Sequence, residues 1–297
     1  MQRSSLGDGV AIVICSLIWG TTWYAITLQF GMVDPVISIF YRFALAAVIL
    51  FVWAGARRER ITLTRAQHIA ALGLGLFTFC GNYAMVYWAE ERITSAIVAV
   101  AFSGAALVNI VFFRFLFGER ASLTTWIGAG LGAAGVALAS WSELIAADMD
   151  TRAQAGLLLA LLAVASATLG NASARRGEQA GAPLVTSTAW AMGYGSVLLA
   201  LFALATGRAW AFDFSARYIG SLLYLSVFGS VIAFLLFFAL ARRRGFTLAS
   251  YIGALTPPTA MAMSALFEGR HWGPLALAGL ALVLAGQFLM LRGKRAH

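Results

Sequence analysis

The sequence predicts an all-α membrane protein of ten transmembrane helices, arranged as two inverted five-helix repeats with both termini in the cytoplasm. Three observations predict this fold class. Apolar residues make up 61% of the 297 residues and charged residues only 11%, whereas a soluble domain has about 25% charged residues. The charges lie in short clusters between apolar runs of bilayer length. Landmarks of the first half of the chain also recur in the second half.

The apolar runs are predicted to be helices, because hydrocarbon offers no partner to backbone N–H and C=O groups that are unpaired within their own segment. The longest connection, from Trp141 to Ala153, leaves no room for a soluble domain. We place the spans at residues 8–30, 34–54, 66–88, 93–116, 122–140, 155–174, 183–206, 218–240, 246–267 and 274–291.

The first two pairs of equivalent spans share the residue type at which they start. The first and sixth spans open on Gly9 and Gly156, and the second and seventh open on Pro35 and Pro183. Proline is tolerated in the first turn of a helix, so these positions are suitable helix starts. The matched starts indicate one unit present twice.

The later spans repeat in the same order. The fourth and ninth begin with Thr94-Ser95-Ala96 and Thr247-Leu248-Ala249, and the fifth and tenth share a Gly-x-x-Leu-x-x-Ala-Gly pattern starting at Gly128 and Gly279. The four pairs are offset by 147, 148, 153 and 151 residues, a spread of only a few residues. A duplication of one five-helix unit accounts for this regularity.

Five crossings per unit would place the two copies in opposite orientations in the membrane. Inverted repeats of this kind are typical of transporters, in which two similar halves rock around a shared central site. We assign residues 1–144 to the first repeat and residues 145–297 to the second. The predicted function is therefore membrane transport.

The basic residues predict the orientation. If both termini lie on one side, the opposite side carries only Arg92, Arg152, Arg208, Arg217 and Arg270. Arg42 lies inside a span, and the other fifteen of the 21 Lys and Arg residues fall on the side of the termini. The positive-inside rule then places both termini in the cytoplasm. The net charge of +9 is explained by contact with anionic headgroups, so no nucleic-acid partner is expected.

Short motifs in a fixed order tie the chain to a known family. They are Trp19-Gly20, Pro35 with Arg42 and Ala46, Ser95-Ala96, Phe117-Gly118-Glu119-Arg120, Trp126-Ile127-Gly128, Ala134-Gly135, Pro257 and Ala285-Gly286. In this order they resemble the EamA-type members of the drug/metabolite transporter superfamily. The resemblance implies a bacterial inner-membrane exporter of small metabolites, similar to exporters of aromatic and other amino acids. It also implies that helices 1, 3, 4, 6, 8 and 9 line a central cavity and that helices 5 and 10 lie together at the periphery.

The polarity and depth of several side chains on those helices make them candidate substrate-binding residues. Trp19 and Trp23 are four residues apart and share one face of the first helix. The third helix carries a stripe of aromatic and amide side chains that is costly to expose to lipid. The stripe consists of Phe79, Asn82, Tyr83 and Tyr87.

The remaining candidates complete a ring near the middle of the membrane. Ser103 on the fourth helix and Thr256 on the ninth are equivalent under the repeat, and Asn171, Ser230 and Tyr251 join them. An alternative stays open for every member of the ring, because Ser, Thr and Asn in membrane helices often only join neighbouring helices, at about 0.6–2 kcal/mol each.

Two features inside the spans point to mechanism. Pro257 and Pro258 remove two amide donors halfway along the ninth span, which predicts either a hinge or a static kink. Arg42 is the only charge well inside a span, about 12 Å deep at 1.5 Å per residue. It is a candidate partner for a substrate carboxylate, although we expect it to contact backbone carbonyls or to extend outward to the membrane surface.

No Asp or Glu lies at mid-membrane, so we predict a facilitator working by alternating access rather than a proton antiporter. No P-loop is present, and neither a cofactor, a metal nor an enzymatic activity is expected. The protein is predicted to be a monomer, with a dimer as the alternative. A drug or nucleotide-sugar carrier, a channel, a structural membrane protein and an intramembrane enzyme are the competing functions.

Overall fold

A computed structural model describes residues 3–118, 122–146, 151–249, 251–269 and 271–293, which contain helices and no strand. The helices of the first half are α1 Arg3–Thr27, α2 Pro35–Ala56, α3 Arg65–Glu90, α4 Ser95–Ser103 continued as Ala105–Phe117, and α5 Leu123–Ala146. The helices of the second half are α6 Thr151–Gln179, α7 Leu184–Ala205, α8 Ala216–Arg244, α9 Phe246–Ala249 continued as Tyr251–Phe267, and α10 Pro274–Gly293.

Seven of the described helices are long and apolar enough to cross a membrane. They are α1, α2, α3, α4, α6, α7 and α8. The described apolar runs of α5 and α10 are shorter, Leu123–Ala139 and Pro274–Gly286. The multi-pass helical fold is confirmed, whereas the count of ten spans and the sides of the termini stay predictions.

Several helices start at residues whose side chains satisfy free backbone amides. The Asp34 carboxylate accepts a hydrogen bond from the Val36 amide at 2.8 Å, with proline at the first position of α2. Thr64 and Gln67 form a reciprocal capping box at the start of α3. The capping groups place these starts at the ends of apolar runs, where the chain leaves the hydrocarbon.

Two helices contain π-helical segments at equivalent positions of the two halves. They are Gly75–Asn82 within α3 and Val227–Ile232 within α8. The first residues of these segments are 152 positions apart, which matches the offsets between the sequence landmarks. The wider turns change which side chains face inward, and π-helical segments are frequent at functional sites.

Helices α5 and α10 pack against each other through glycine. A Cβ atom on Gly135 would lie 2.5 Å from the Gly279 carbonyl oxygen, and one on Gly286 would lie 2.4 Å from the Gly128 carbonyl oxygen. The backbones are therefore in direct contact, as in other membrane helix pairs with small residues at the interface. This confirms the predicted contact between helices 5 and 10 within one chain.

Several helix contacts join the two halves in pairs. Helix α2 packs on α7, α5 on α10, α1 on α9, and α4 on α6. When each helix is replaced by its equivalent in the other half, the α1–α9 pair becomes the α6–α4 pair. The α2–α7 and α5–α10 pairs map onto themselves. Large apolar side chains remain exposed on the outer surface, where lipid surrounds them.

Candidate functional site: a central cavity

A cavity of about 130 Å³ lies at the centre of the bundle. Its walls come from α1, α3, α4, α6, α8 and α9, the six helices that the sequence resemblance implies. The polar and aromatic lining residues are Trp19, Thr22, Trp23, Thr78, Asn82, Tyr83, Phe102, Asn109, Asn171, Phe234, Phe237 and Thr256.

The two indoles of α1 face this cavity but differ in their partners. The Trp19 Nε1–H donates to the Gly229 carbonyl at 3.2 Å, and its ring packs edge-on against Phe234 with ring centroids 5.2 Å apart. The Trp23 ring packs against Phe102, and its buried Nε1–H has no acceptor among the described residues. Trp19 therefore secures α1 to α8, whereas Trp23 keeps a free hydrogen-bond donor.

The π-helical segment of α3 contributes polar groups to the opposite wall. The Asn82 side-chain amide donates to the Ala163 carbonyl of α6 at 2.8 Å, and this hydrogen bond fixes the Asn82 side chain beside the cavity. The Thr78 hydroxyl is buried and has no partner among the described residues. A Cβ atom on Gly170 would lie 3.0 Å from the Thr78 Cβ and 3.2 Å from the Thr78 backbone nitrogen, so glycine lets α6 approach α3 closely here.

Arg42 is fully buried directly behind the cavity wall. Its Nε donates to the Ser230 hydroxyl at 2.9 Å and its Nη2 to the Tyr83 hydroxyl at 3.4 Å. The guanidinium lies 4.6 Å from the centre of the Tyr83 ring. This corrects the expectation that Arg42 binds backbone carbonyls or extends outward, because its side chain is 0% exposed and its acceptors are hydroxyl groups.

The proline pair of α9 lies inside a continuous helix. Helix Tyr251–Phe267 contains both Pro257 and Pro258. The carbonyl of Gly253 has lost its usual amide donor, and the Thr256 hydroxyl donates to it instead at 2.8 Å. The backbone of α1 approaches this region closely, since a Cβ on Gly20 would lie 3.2 Å from the Thr256 carbonyl oxygen.

The structure places the predicted site residues in three groups. Trp19, Trp23, Asn82, Tyr83, Asn171 and Thr256 line the cavity together. Three others lie behind it: Phe79 packs on Phe43 and Phe234, Tyr87 donates to Gln29, and Ser230 accepts from Arg42. The backbones of Ser103 and Tyr251 lie in α4 and α9, but their side chains are outside the described part of the structure.

Three polar lining residues were not predicted: Thr22, Thr78 and Asn109. Thr78 lies four residues before Asn82, so one more turn of the predicted stripe would have included it. Thr22 and Asn109 carry no such signal, because a single polar residue on a membrane helix is equally suited to packing.

The ends of the bundle are held by polar contacts between helices. The Ser95 hydroxyl at the start of α4 donates to the Glu268 carboxylate at 2.8 Å, and the Ser264 hydroxyl donates to the second oxygen of that carboxylate. Glu90 is buried nearby in α3, and neither of its oxygens has a hydrogen-bond partner among the described residues. At the opposite end, Arg243 and Arg244 pair with Asp8. These contacts link the two halves above and below the cavity.

Comparison with known proteins gives the family. The sequence profile of the EamA-like transporter family matches the chain twice, at residues 8–141 and 154–292. The chain belongs to this family. Each half of this EamA-like transporter therefore matches the same family profile.

Three curated relatives span almost the whole transporter. The protein PagO of Salmonella typhimurium is 23% identical over 300 residues, covering 98% of this chain and 94% of PagO. The uncharacterized inner membrane transporter YedA of Escherichia coli K12 is 24% identical over 290 residues, covering 96% and 90%. A Salmonella typhimurium protein named "Probable amino-acid metabolite efflux pump" is 25% identical over 302 residues, covering 97% and 96%.

A solved crystal structure shares the fold of this EamA-like transporter, with a TM-score of 0.74 at 19% identity, and covers 99% of this chain and 100% of its own. The family, the relatives and the seven apolar helices establish a multi-pass transporter of the inner membrane.

The part of the cavity surface that the described residues form in this EamA-like transporter is uncharged. Among the described lining residues there is no Asp, Glu, Lys, Arg or His. Aromatic rings supply flat apolar contact, and indole, hydroxyl and amide groups supply hydrogen bonds. Such a lining can hold a small molecule with one apolar part and a few polar groups.

Proposed function

We propose that this EamA-like transporter exports small metabolites, namely amino acids including aromatic ones. The central cavity is the observation that carries the proposal, because rings and hydrogen-bonding groups from six helices meet there at mid-bundle. Aromatic walls suit an apolar or flat side chain, and the polar groups suit an ammonium and a carboxylate. The proposed binding residues are the six predicted ones that line the cavity.

The proposed architecture is ten spans in two inverted repeats, residues 1–144 and 145–297, with both termini in the cytoplasm. The double family match, the equivalent π-helical segments and the exchange of helix pairs under the repeat support it. A reporter active only in the cytoplasm, fused after His297, tests the orientation. Activity supports the proposed topology, and a silent fusion in a functional transporter contradicts it.

The proposed mechanism is alternating access as a facilitator, in a monomer. The described lining contains no carboxylate that could carry a coupled proton. Pro257 and Pro258 would act as a hinge of α9, so Pro257→Ala should slow exchange while leaving equilibrium binding unchanged. Uptake into liposomes that requires an imposed pH gradient contradicts the facilitator, and Glu90 is then the first carboxyl to replace.

Counterflow in proteoliposomes tests the substrate class. Proteoliposomes that contain the purified protein are loaded with unlabelled L-phenylalanine. The entry of three labelled compounds is then compared: L-phenylalanine, a sugar nucleotide and a cationic dye. We expect exchange of the amino acid only, because the lining offers no cationic groups for two phosphates and no carboxylate for a cation. Exchange of the sugar nucleotide or the dye instead favours the alternative carriers, and single-channel currents favour a channel.

Two substitutions test the proposed binding residues in the same assay. Trp19→Ala and Tyr83→Ala each remove a lining ring, and we expect at least a tenfold loss of exchange. Trp141→Ala is the matched control, because this indole lies on the exposed surface of α5. Unchanged exchange in both cavity variants contradicts the site assignment.

A further inference from the structure

Arg42 carries a positive charge that has no counter-charge in contact with it. Its side chain is 0% exposed, and no carboxylate among the described residues forms an ion pair with it. Two guanidinium nitrogens bind neutral hydroxyls, and the third, Nη1, has no hydrogen-bond partner among the described residues. A buried cation without an anion is unfavourable, so a partner from outside the chain would stabilise it.

Only one layer of side chains separates this charge from the cavity. The guanidinium lies against the Tyr83 ring, which is itself part of the cavity wall. It also flanks Gly229, where a Cβ atom would lie 3.2 Å from Nη2 and 2.7 Å from the Cγ2 methyl of Thr22, another lining residue. The field of Arg42 therefore reaches the cavity through low-dielectric material, where screening is weak.

Two neighbouring lining residues carry donors that have no acceptor among the described residues. The Tyr83 hydroxyl accepts from Arg42, and no acceptor for its own proton is found among the described residues. The Trp23 Nε1–H is a second donor without an acceptor. A hydroxyl that accepts from a cation becomes a stronger donor, because hydrogen bonds in a chain polarise one another. An anion in the cavity would satisfy both donors and the charge behind them.

From this arrangement we infer that the cavity binds substrates through a carboxylate, which Tyr83 and Trp23 contact and the buried Arg42 attracts from behind. The inference rests on the proposed function and specifies its substrate class as amino or organic acids. Arg42 is a positioning residue here, since it acts through the Tyr83 hydroxyl. One positive charge matches one carboxylate, and it disfavours cationic compounds of the same shape.

Binding of three related probes to the purified full-length protein in detergent tests the inference. L-phenylalanine has both charged groups, 3-phenylpropanoate has only the carboxylate, and L-phenylalaninamide has only the ammonium. Equilibrium dialysis with labelled probes gives each Kd. We expect the two carboxylates to bind at least tenfold more tightly than the amide. Equal binding of the amide overturns the inference.

Variants show whether Arg42 and Tyr83 cause that preference. Arg42→Gln and Tyr83→Phe should reduce the acid-to-amide ratio of Kd values to about threefold or less, whereas Arg42→Lys should retain most of it. Tyr218→Phe is the matched control, because it removes a buried hydroxyl that bonds to Ser38 on the same helix as Arg42, away from the cavity. A ratio that stays at the wild-type value in Tyr83→Phe overturns the inference even if Arg42→Gln fails to fold.

Transport measured with the same probes separates the two proposals. If all three probes are exchanged without preference, the carboxylate inference fails and amino-acid transport stands. If none is exchanged but 3-phenylpropanoate binds with the expected ratio, the carboxylate site stands and the proposed transport of amino acids fails. If none binds or is exchanged, both proposals are contradicted.

Discussion

At the residue scale, the buried guanidinium of Arg42 is held by neutral groups contributed by other helices. Ser230, in the π-helical segment of α8, accepts from its Nε, and the Ser230 hydroxyl donates a hydrogen bond to the Leu225 carbonyl at 2.8 Å, five residues earlier in the same helix. The geometry of that segment thus supplies the acceptor that lets a charged side chain remain inside the bundle. Without it, Nε would be a buried donor facing apolar neighbours, which is costly.

Ser230→Ala is predicted to destabilise the fold. The substitution leaves the Arg42 Nε unsatisfied, at an expected cost of about 1–3 kcal/mol, measurable as a lower midpoint of thermal unfolding in detergent. Ser187→Ala is the control, because the Ser187 hydroxyl bonds only to the Leu184 carbonyl of its own helix. Equal midpoints for the two variants would contradict the role given to Ser230.

The hydrogen-bond partners of Arg42 could not be predicted from the sequence. The position of Arg42 along its span fixes its depth, but its acceptor Ser230 is 188 residues away in the chain. One sequence gives no information on which helix face lies opposite which. For the same reason the whole stripe of the third helix was predicted to line the cavity. In the structure Asn82 and Tyr83 line it, whereas Phe79 and Tyr87 lie behind it.

At the element scale, the glycines of α5 and α10 set how closely the two halves approach. Gly135 lies against the α10 backbone, because a Cβ atom added to it would lie 2.5 Å from the Gly279 carbonyl oxygen. Gly132 is on the same helix one turn earlier, and a Cβ there meets no atom within 4 Å. Close backbone approach therefore depends on particular glycines and not on the glycine content of the helix.

Gly135→Ala is predicted to separate or distort the α5–α10 pair. Overpacking costs typically about 1–3 kcal/mol, so the thermal midpoint in detergent should fall. Gly132→Ala makes the same change of composition in open space and should leave the midpoint unchanged or raise it slightly, because alanine favours helix. The reverse order of the two midpoints would contradict the packing described.

Length and hydropathy predicted most helices but not their internal irregularities. The span predicted at 183–206 agrees closely with α7, Leu184–Ala205. Helix α8, Ala216–Arg244, extends beyond its predicted span at both ends, because a helix need not end where the hydrocarbon ends. The π-helical segments and the break of α4 at Gly104 left no periodic signal, since each depends on contacts with neighbouring helices.

At the scale of the whole molecule, two equivalent halves enclose a central cavity whose described lining carries no charged side chain. Polar contacts hold the helices at both ends, with Glu268 bound by Ser95 at one and Asp8 bound by Arg243 and Arg244 at the other. Under the proposed alternating access, we expect one set to be released while the other persists, which would expose the cavity to one face at a time. Repeat landmarks in the sequence predicted this two-half organisation, because duplication preserves helix starts and small-residue contacts even where side chains differ.

Access to the cavity from each face of the membrane tests the account most directly. Asn171→Cys places a single thiol in the cavity wall, in a chain with Cys15→Ala and Cys80→Ala to remove the native thiols. A membrane-impermeant thiol reagent is applied from either side of oriented vesicles. We predict labelling from both sides, slowed from both by saturating L-phenylalanine. Labelling from one side only, in protein that still exchanges substrate, would contradict the account.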